Sequence, residues 1–208
     1  MMVSMNPDQN QQNQYSIDYL NQIAPQAPKR GVKDQFFFWI IGGGLLVAAI
    51  VLVITLSSGG SGPKYDMQVL AARIDTLQTL ASDTQKNLKS GALRSTNSNL
   101  AIFLTNANRD IAAPLTANGI DIKKLDSAIV AAEKGDELKQ TFEDARLNAV
   151  LDRTYAREMT YQLQTVAVLE QKIYKATSSK ALKEYLEKTD ADLQPLIKQL
   201  SDFSGTEG

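Results

Sequence analysis

An all-α protein is predicted: a single N-terminal transmembrane helix followed by an antiparallel four-helix bundle with one extra short helix. Three observations carry this. A run of 21 residues, Phe36 to Leu56, contains no charge. Beyond Gly62 apolar residues recur at helical steps of three and four, and no period-two stretch marks a strand. Gly and Pro fall between these periodic segments rather than at the tight turns of hairpins. The resulting division is a cytoplasmic tail over 1–33, a membrane helix over 34–57, a linker over 58–63 and the bundle over 64–204.

The tail is rich in Asn and Gln and is expected to be disordered, because it has little apolar surface to bury. Its exception is a short amphipathic segment at 15–24, "YSIDYLNQIA", where Tyr15, Tyr19, Leu20 and Ile23 share one side of a two-turn helix. Ser16 is placed to cap it and Pro25 to stop it. Two readings stand: a docking segment for a protein, or a sticky tail lying against the membrane.

The span "FFFWIIGGGLLVAAIVLVITL" is close to the roughly 20 residues that cross a hydrocarbon core as a helix. A cleaved leader has a shorter apolar region, usually about 7–15 residues, nearer the start of the chain. Lys29, Arg30 and Lys33 crowd the N-terminal flank, whereas Lys64 alone lies just past the other end, so the positive-inside rule puts the N-terminus in the cytoplasm and the bundle outside. Phe36, Phe37, Phe38 and Trp39 form an aromatic belt at the cytoplasmic interface. Gly42, Gly43 and Gly44, with Ala48, form a small-residue face through which a homodimer could assemble in the bilayer. The linker "SSGGSGP" imposes little orientation on the bundle attached to it.

In the bundle, Met67, Leu70, Ile74, Leu77, Ala81, Thr84 and Leu88 trace a first helix ending near Gly91. A second, with Leu93, Leu100, Leu104, Ala107 and Ile111, fails between Pro114 and Gly119. Asp121 is a cap for a shorter third helix with Ile122, Leu125, Ile129 and Ala132, interrupted at Gly135. The longest helix is expected from Asp136 to about Lys175, with a stripe of Leu138, Phe142, Ala145, Ala149, Ala156, Met159, Leu163, Val166 and Ile173. The last opens at Ser178 or Ser179 and carries Leu182, Leu186, Leu193, Ile197, Leu200 and Phe203, with Pro195 expected to bend or break it. Short turns between long helices favour an antiparallel bundle.

Composition narrows the chemistry. Lys and Arg total 22 and Asp and Glu 23; three of each precede the span, leaving 19 and 20 beyond it. So balanced a charge offers no field for nucleic acid, and no nucleic-acid partner is expected. Cys and His are both absent. Thiolate nucleophiles, thiolate metal sites and the usual general base near neutral pH are therefore excluded. No catalytic residue, cofactor site or metal site is assigned.

One carboxylate, Asp152, stands within the apolar stripe between Ala149 and Ala156, where burial of a lone charge would be costly. It is expected to be held by an ion pair or hydrogen bond, with Arg73, Arg94 and Arg109 as candidate partners. Asp152, Tyr155, Met159 and Tyr161 are also the residues that could line a ligand cavity between helices; ordinary core and rim packing is the competing reading.

Asp152 and Tyr155, the run to Glu170, and "KALKEYLEKTDADLQPLIKQL" from Lys180 resemble the last two helices of a ferritin-like family of bacterial envelope proteins known only as a domain of unknown function. That family's pattern is Asp-x-x-Tyr, seven residues and His, and later Thr-x-x-x-Leu-x-x-His. Thr189 and Leu193 also match, but the two His positions are Leu163 and Leu196 here. "FLTNANRDIAAPLTANGI" from Phe103 follows the family loosely and lacks its Asp-His pair. The resemblance implies a four-helix bundle outside the cytoplasmic membrane in which the polar site has given way to core packing. Together these readings lead to a non-catalytic, membrane-anchored interaction or envelope scaffold module with the lipid bilayer and a protein as partners. A small-ligand sensor or carrier bundle, and a degenerate ferritin-like metal-binding protein, are the alternatives.

Overall fold

The computed structural model describes residues 62–203. The tail with its docking segment, the expected span with its dimer face, and the linker up to Ser61 lie outside the described residues, as does Ser204. Among the described residues every regular element is helical, and no helix is long and apolar enough to cross a membrane.

Among the described residues seven α-helices occur in chain order: α1 Pro63–Thr84, α2 Gly91–Asp110, α3 Ala112–Ala117, α4 Ser127–Ala132, α5 Asp136–Leu147, α6 Leu151–Ala176 and α7 Lys180–Ser201, with 3-10 turns at Gln85–Asn87 and Ile122–Lys124. The four long ones, α1, α2, α6 and α7, form the bundle. Helix α1 lies beside α2 and α6, and α7 beside the same two. Cross-links fix their directions. Lys172 near the end of α6 bonds Asp66 near the start of α1 at 2.9 Å, and the Tyr185 hydroxyl early in α7 donates to the Ala107 carbonyl late in α2 at 3.0 Å. Each neighbouring pair is therefore antiparallel, while α2 and α6, on the diagonal, run the same way. Residues 111–150 must then travel back along the bundle to start α6, which makes a single long crossover.

The long helices start and stop where local chemistry requires. Pro63 occupies the first turn of α1, where its missing N–H leaves no bond unmade. Ser90 caps α2 by accepting from the Leu93 amide, and Ser179 caps α7 by accepting from the Leu182 amide. Most of the core predicted from periodicity is buried: Met67, Leu70, Ile74, Leu77, Ala81, Leu93, Leu100, Leu104, Ala107, Ile111, Met159, Leu163, Val166, Ile173, Leu182, Leu186, Leu193 and Leu200 are all inside, whereas Ile122, Leu125, Leu138 and Phe203 are partly buried and Ala132 is exposed.

Four elements differ from expectation. Helix α1 ends at Thr84, and a 3-10 turn then leads into an extended Leu88 that remains buried. Asp121 caps only the turn at Ile122–Lys124; Leu125 is extended, and Asp126 caps α4 by accepting from the Ala128 amide. A 3-10 turn and one short helix thus stand where one helix was expected. The predicted helix over 136–175 is two helices. It breaks at Ala149, whose φ of 58° is left-handed, with Val150 N donating to Ala145 O and Ala149 N to Arg146 O. These two bonds are the Schellman ending usually built with Gly. Ala149 is exposed rather than part of the stripe. Finally, α7 runs through Pro195 without a break in its assignment. Pro195 is exposed, so the carbonyl freed one turn earlier can turn to water.

The crossover is fastened to α1. Arg73 makes a bidentate pair with Glu133 at 2.7 and 2.8 Å, the Thr76 hydroxyl donates to the Glu133 carbonyl at 2.7 Å, and Gln68 accepts from the Asp126 amide at 2.9 Å. At its far end Phe142 meets Tyr155, with ring centroids 5.1 Å apart and tilted by 50°.

Candidate functional site

Asp152 sits in the first turn of α6 and is only half-buried. Its carboxylate accepts from the backbone amide of Lys89 at 3.0 and 3.2 Å and of Ser90 at 2.6 Å. The partners are thus amides in the approach to α2, not Arg73, Arg94 or Arg109. Arg73 is bound to Glu133, and Arg109 to its neighbour Asp110. The apolar stripe misleads at this position because the helix break at Ala149 sets Asp152 at a terminus, where its carboxylate reaches the backbone leading into α2.

One turn on, Tyr155 has no exposed surface and its hydroxyl donates to Asn97 Oδ1. Asn97, also fully buried, donates to the Ala81 carbonyl at 2.9 Å and to Gln85 Oε1. Burial pushes the Tyr155 phenol well above its ordinary pKa, so it stays a neutral donor. Met159 continues this face and is wholly enclosed. Tyr161, two residues further and so roughly 200° round the helix, is half-exposed on another side. The structure therefore brings Asp152, Tyr155 and Met159 onto one packed face and leaves Tyr161 apart from them. Leu163 and Leu196, at the two His positions of the resembled family, are both buried.

A group that sequence reasoning misses lies lower in α6. Glu170 is 1% exposed, and neither carboxylate oxygen has a hydrogen-bond partner. Burial first, and then the nearby Asp190 charge, raise its pKa to about 8, so the buried form at neutral pH is mostly the acid. The signal is in the spacing: Leu163, Val166, Glu170 and Ile173 advance by three, four and three. Glu170 fills a core position of the stripe.

Beside it, on the seam of α6 and α7, is a cavity of about 240 Å³ walled by Glu170, Tyr174, Leu186, Glu187 and Asp190, with Gln171 and Lys175 at its edge. Tyr174 donates its hydroxyl to Glu187 at 2.5 Å, and the Lys183 ammonium lies 5.0 Å over its ring. A second groove, of about 400 Å³, runs between α2 and α7 past Ile102, Phe103, Pro195 and Leu196. Ile102 is 62% exposed there. A third, of about 500 Å³, lies between α1 and the crossover, with Thr76, Leu80, Ile122 and Val130 in its wall. Among the described residues no three or more acidic side chains are gathered as metal ligands would be.

No protein-family model matches the chain, and no curated protein or solved structure matches it either.

Proposed function

We propose that the chain is a single-pass membrane protein whose extracytoplasmic, ferritin-like bundle is a non-catalytic protein-interaction or envelope scaffold module. Support for the anchor is the uncharged run Phe36–Leu56 with its basic N-terminal flank. Support for the ferritin-like reading is the arrangement of two antiparallel helix pairs joined by one long crossover. The observation that carries the interaction reading is the α2–α7 groove, where Ile102 stands largely in solvent beside Phe103 and Leu196. A large aliphatic side chain left exposed next to further apolar surface marks a contact for a protein partner. The carboxylate best placed by sequence for chemistry, Asp152, has its oxygens engaged by backbone amides.

The test is cross-linking of the full-length protein in its native membranes, followed by mass spectrometry, for the wild type, Ile102→Glu and a form lacking residues 2–28. Specific neighbours captured by the wild type and the tail deletion, and lost with Ile102→Glu, are expected. Neighbours that persist in Ile102→Glu, or that vanish only with the tail, would overturn the assignment to the groove.

A further inference from the structure

From Ser95 to Asn108 helix α2 carries no charged residue, although 22% of the chain is charged. Its side chains in solvent along that stretch are Ser95, Ser98, Asn99, Ile102, Thr105 and Asn106, and Ile102 is 62% exposed. Neighbouring α7 is the ordinary case, with Lys180, Glu184, Glu187, Lys188, Asp192 and Lys198 in solvent. A solvated helix face gains nothing by shedding charge, whereas charge is depleted at the centre of a surface that another protein covers. The six residues recur at spacings of three and four, so they form one stripe down α2. Ile102 is its midpoint.

We infer that this stripe is the contact between two copies of the chain, with α2 packed antiparallel against α2 of a second copy about a two-fold axis at Ile102. The inference rests on the reading of the Ile102 face as a protein contact and names the partner. What selects a second copy is that the stripe complements itself, as a two-fold contact requires. In an antiparallel pair centred on Ile102, each residue lies opposite the one equally far from the centre on the other side. Ile102 then meets its own counterpart, Asn99 meets Thr105 and Ser98 meets Asn106. These flanking side chains are small or short, which lets the helices close to the roughly 8–10 Å of ordinary packing. The same register sets Arg94 of one copy against Asp110 of the other. Each stands roughly 80° round the helix from Ile102, on opposite sides, and the two-fold brings them to one side and one height. Among the described residues Arg94 is exposed without an ionic partner, and Asp110 is held through one oxygen by its neighbour Arg109. A parallel pair would instead set Arg94 against Arg94 and Asp110 against Asp110, like charge on like. The linker "SSGGSGP" imposes little orientation, so two bundles lying along the membrane can meet in this way with both anchors in one bilayer.

The chain has no Cys, so single Cys substitutions at exposed positions report the contact directly. In the full-length protein in its native membranes, Ile102→Cys should give a disulfide-linked dimer under mild oxidation, because residues on the axis come within the roughly 4.4–6.8 Å between Cα atoms that a disulfide spans. Gln171→Cys, exposed on the diagonal helix α6, should not. Co-expressed Asn99→Cys and Thr105→Cys chains should cross-link to each other, and each alone far less, which reads the antiparallel direction. In the Ile102→Cys background, Arg94→Glu should lower the dimer yield several-fold, and adding Asp110→Arg should restore it. Ile102→Cys linking no faster than Gln171→Cys would overturn the inference, as would Asn99→Cys linking to itself as readily as to Thr105→Cys. If Ile102→Glu strips other proteins from the chain while Ile102→Cys stays monomeric, the face serves a different protein: the interaction reading then stands and the self-contact falls.

Discussion

Asp152 Oδ2 accepts from the Ser90 backbone nitrogen at 2.6 Å, so the first turn of α6 closes off the approach to α2, its diagonal partner in the bundle. Ser90 is buried, so its amide would be left without an acceptor if the carboxylate were removed. Asp152→Ala should therefore destabilise the protein by about 2 kcal/mol in urea unfolding, the range for a hydrogen bond to a charged group. Asp152→Asn retains an acceptor and should cost clearly less. A wild-type midpoint for Asp152→Ala would mean that the carboxylate has no structural role.

Deeper on the same face, Tyr155→Phe strips the donor from Asn97 Oδ1 while leaving the ring against Phe142. Leaving that buried acceptor unpaired is expected to cost about 1–3 kcal/mol. Chemical denaturation checks it, and adding Asn97→Leu should recover part of the loss by removing the orphaned amide.

Glu170 gives the folded state a proton that the unfolded chain does not hold. Its folded pKa, about 8, lies above the unfolded value near 4.5. Its contribution is thus fully present below about pH 4.5 and is lost as pH rises through about 8, at about 1.4 kcal/mol per pH unit in between. Unfolding free energies of wild type and Glu170→Gln, measured from pH 5 to pH 9, should diverge in favour of the variant as pH rises. Parallel curves would show that the carboxyl is solvated.

The four long helices are legible in the sequence because each carries its own amphipathic stripe, and a stripe survives errors of a turn at either end. Capping is legible at Ser179, where a hydroxyl precedes an apolar run. What escapes are features decided by backbone geometry or by a partner distant in sequence. Nothing at Ala149 signals a left-handed residue, since Ala is the best helix former and the stripe runs on in register across it. The need of Asp152 for partners can be read from its place, yet those partners are amides 62 and 63 residues away that carry no side-chain signature. Glu170 is hidden differently. Its position fits the stripe, but a charged residue ordinarily faces solvent, so charge masks the periodicity.

Ala149 adopts φ 58° at the end of α5, where a side chain crowds the backbone. Ala149→Gly should relieve that strain, with the gain tempered by the greater freedom of Gly in the unfolded chain, for a net stabilisation of up to about 1 kcal/mol. Thermal melting of the variant checks it. A lower melting temperature would mean that the α5–α6 junction is held by something other than this ending.

The opposite substitution tests the same backbone state where there is no room. Gly135, at φ 70° before α5, brings the crossover so close to α1 that an added Cβ would lie 2.8 Å from Thr76 Cγ2 and 3.4 Å from Leu80 Cδ1. Thr76 cannot easily give way, because its hydroxyl is bonded to the Glu133 carbonyl two residues before Gly135, and Arg73 holds the Glu133 side chain. Gly135→Ala should thus combine backbone strain with overpacking and cost about 2–4 kcal/mol. Adding Thr76→Ser, which keeps the hydroxyl and removes the methyl, should restore the part due to the clash and leave the part due to φ. The size of that recovery in a double-mutant cycle separates the two terms, and no recovery at all would mean that the crossover does not approach α1 at Gly135.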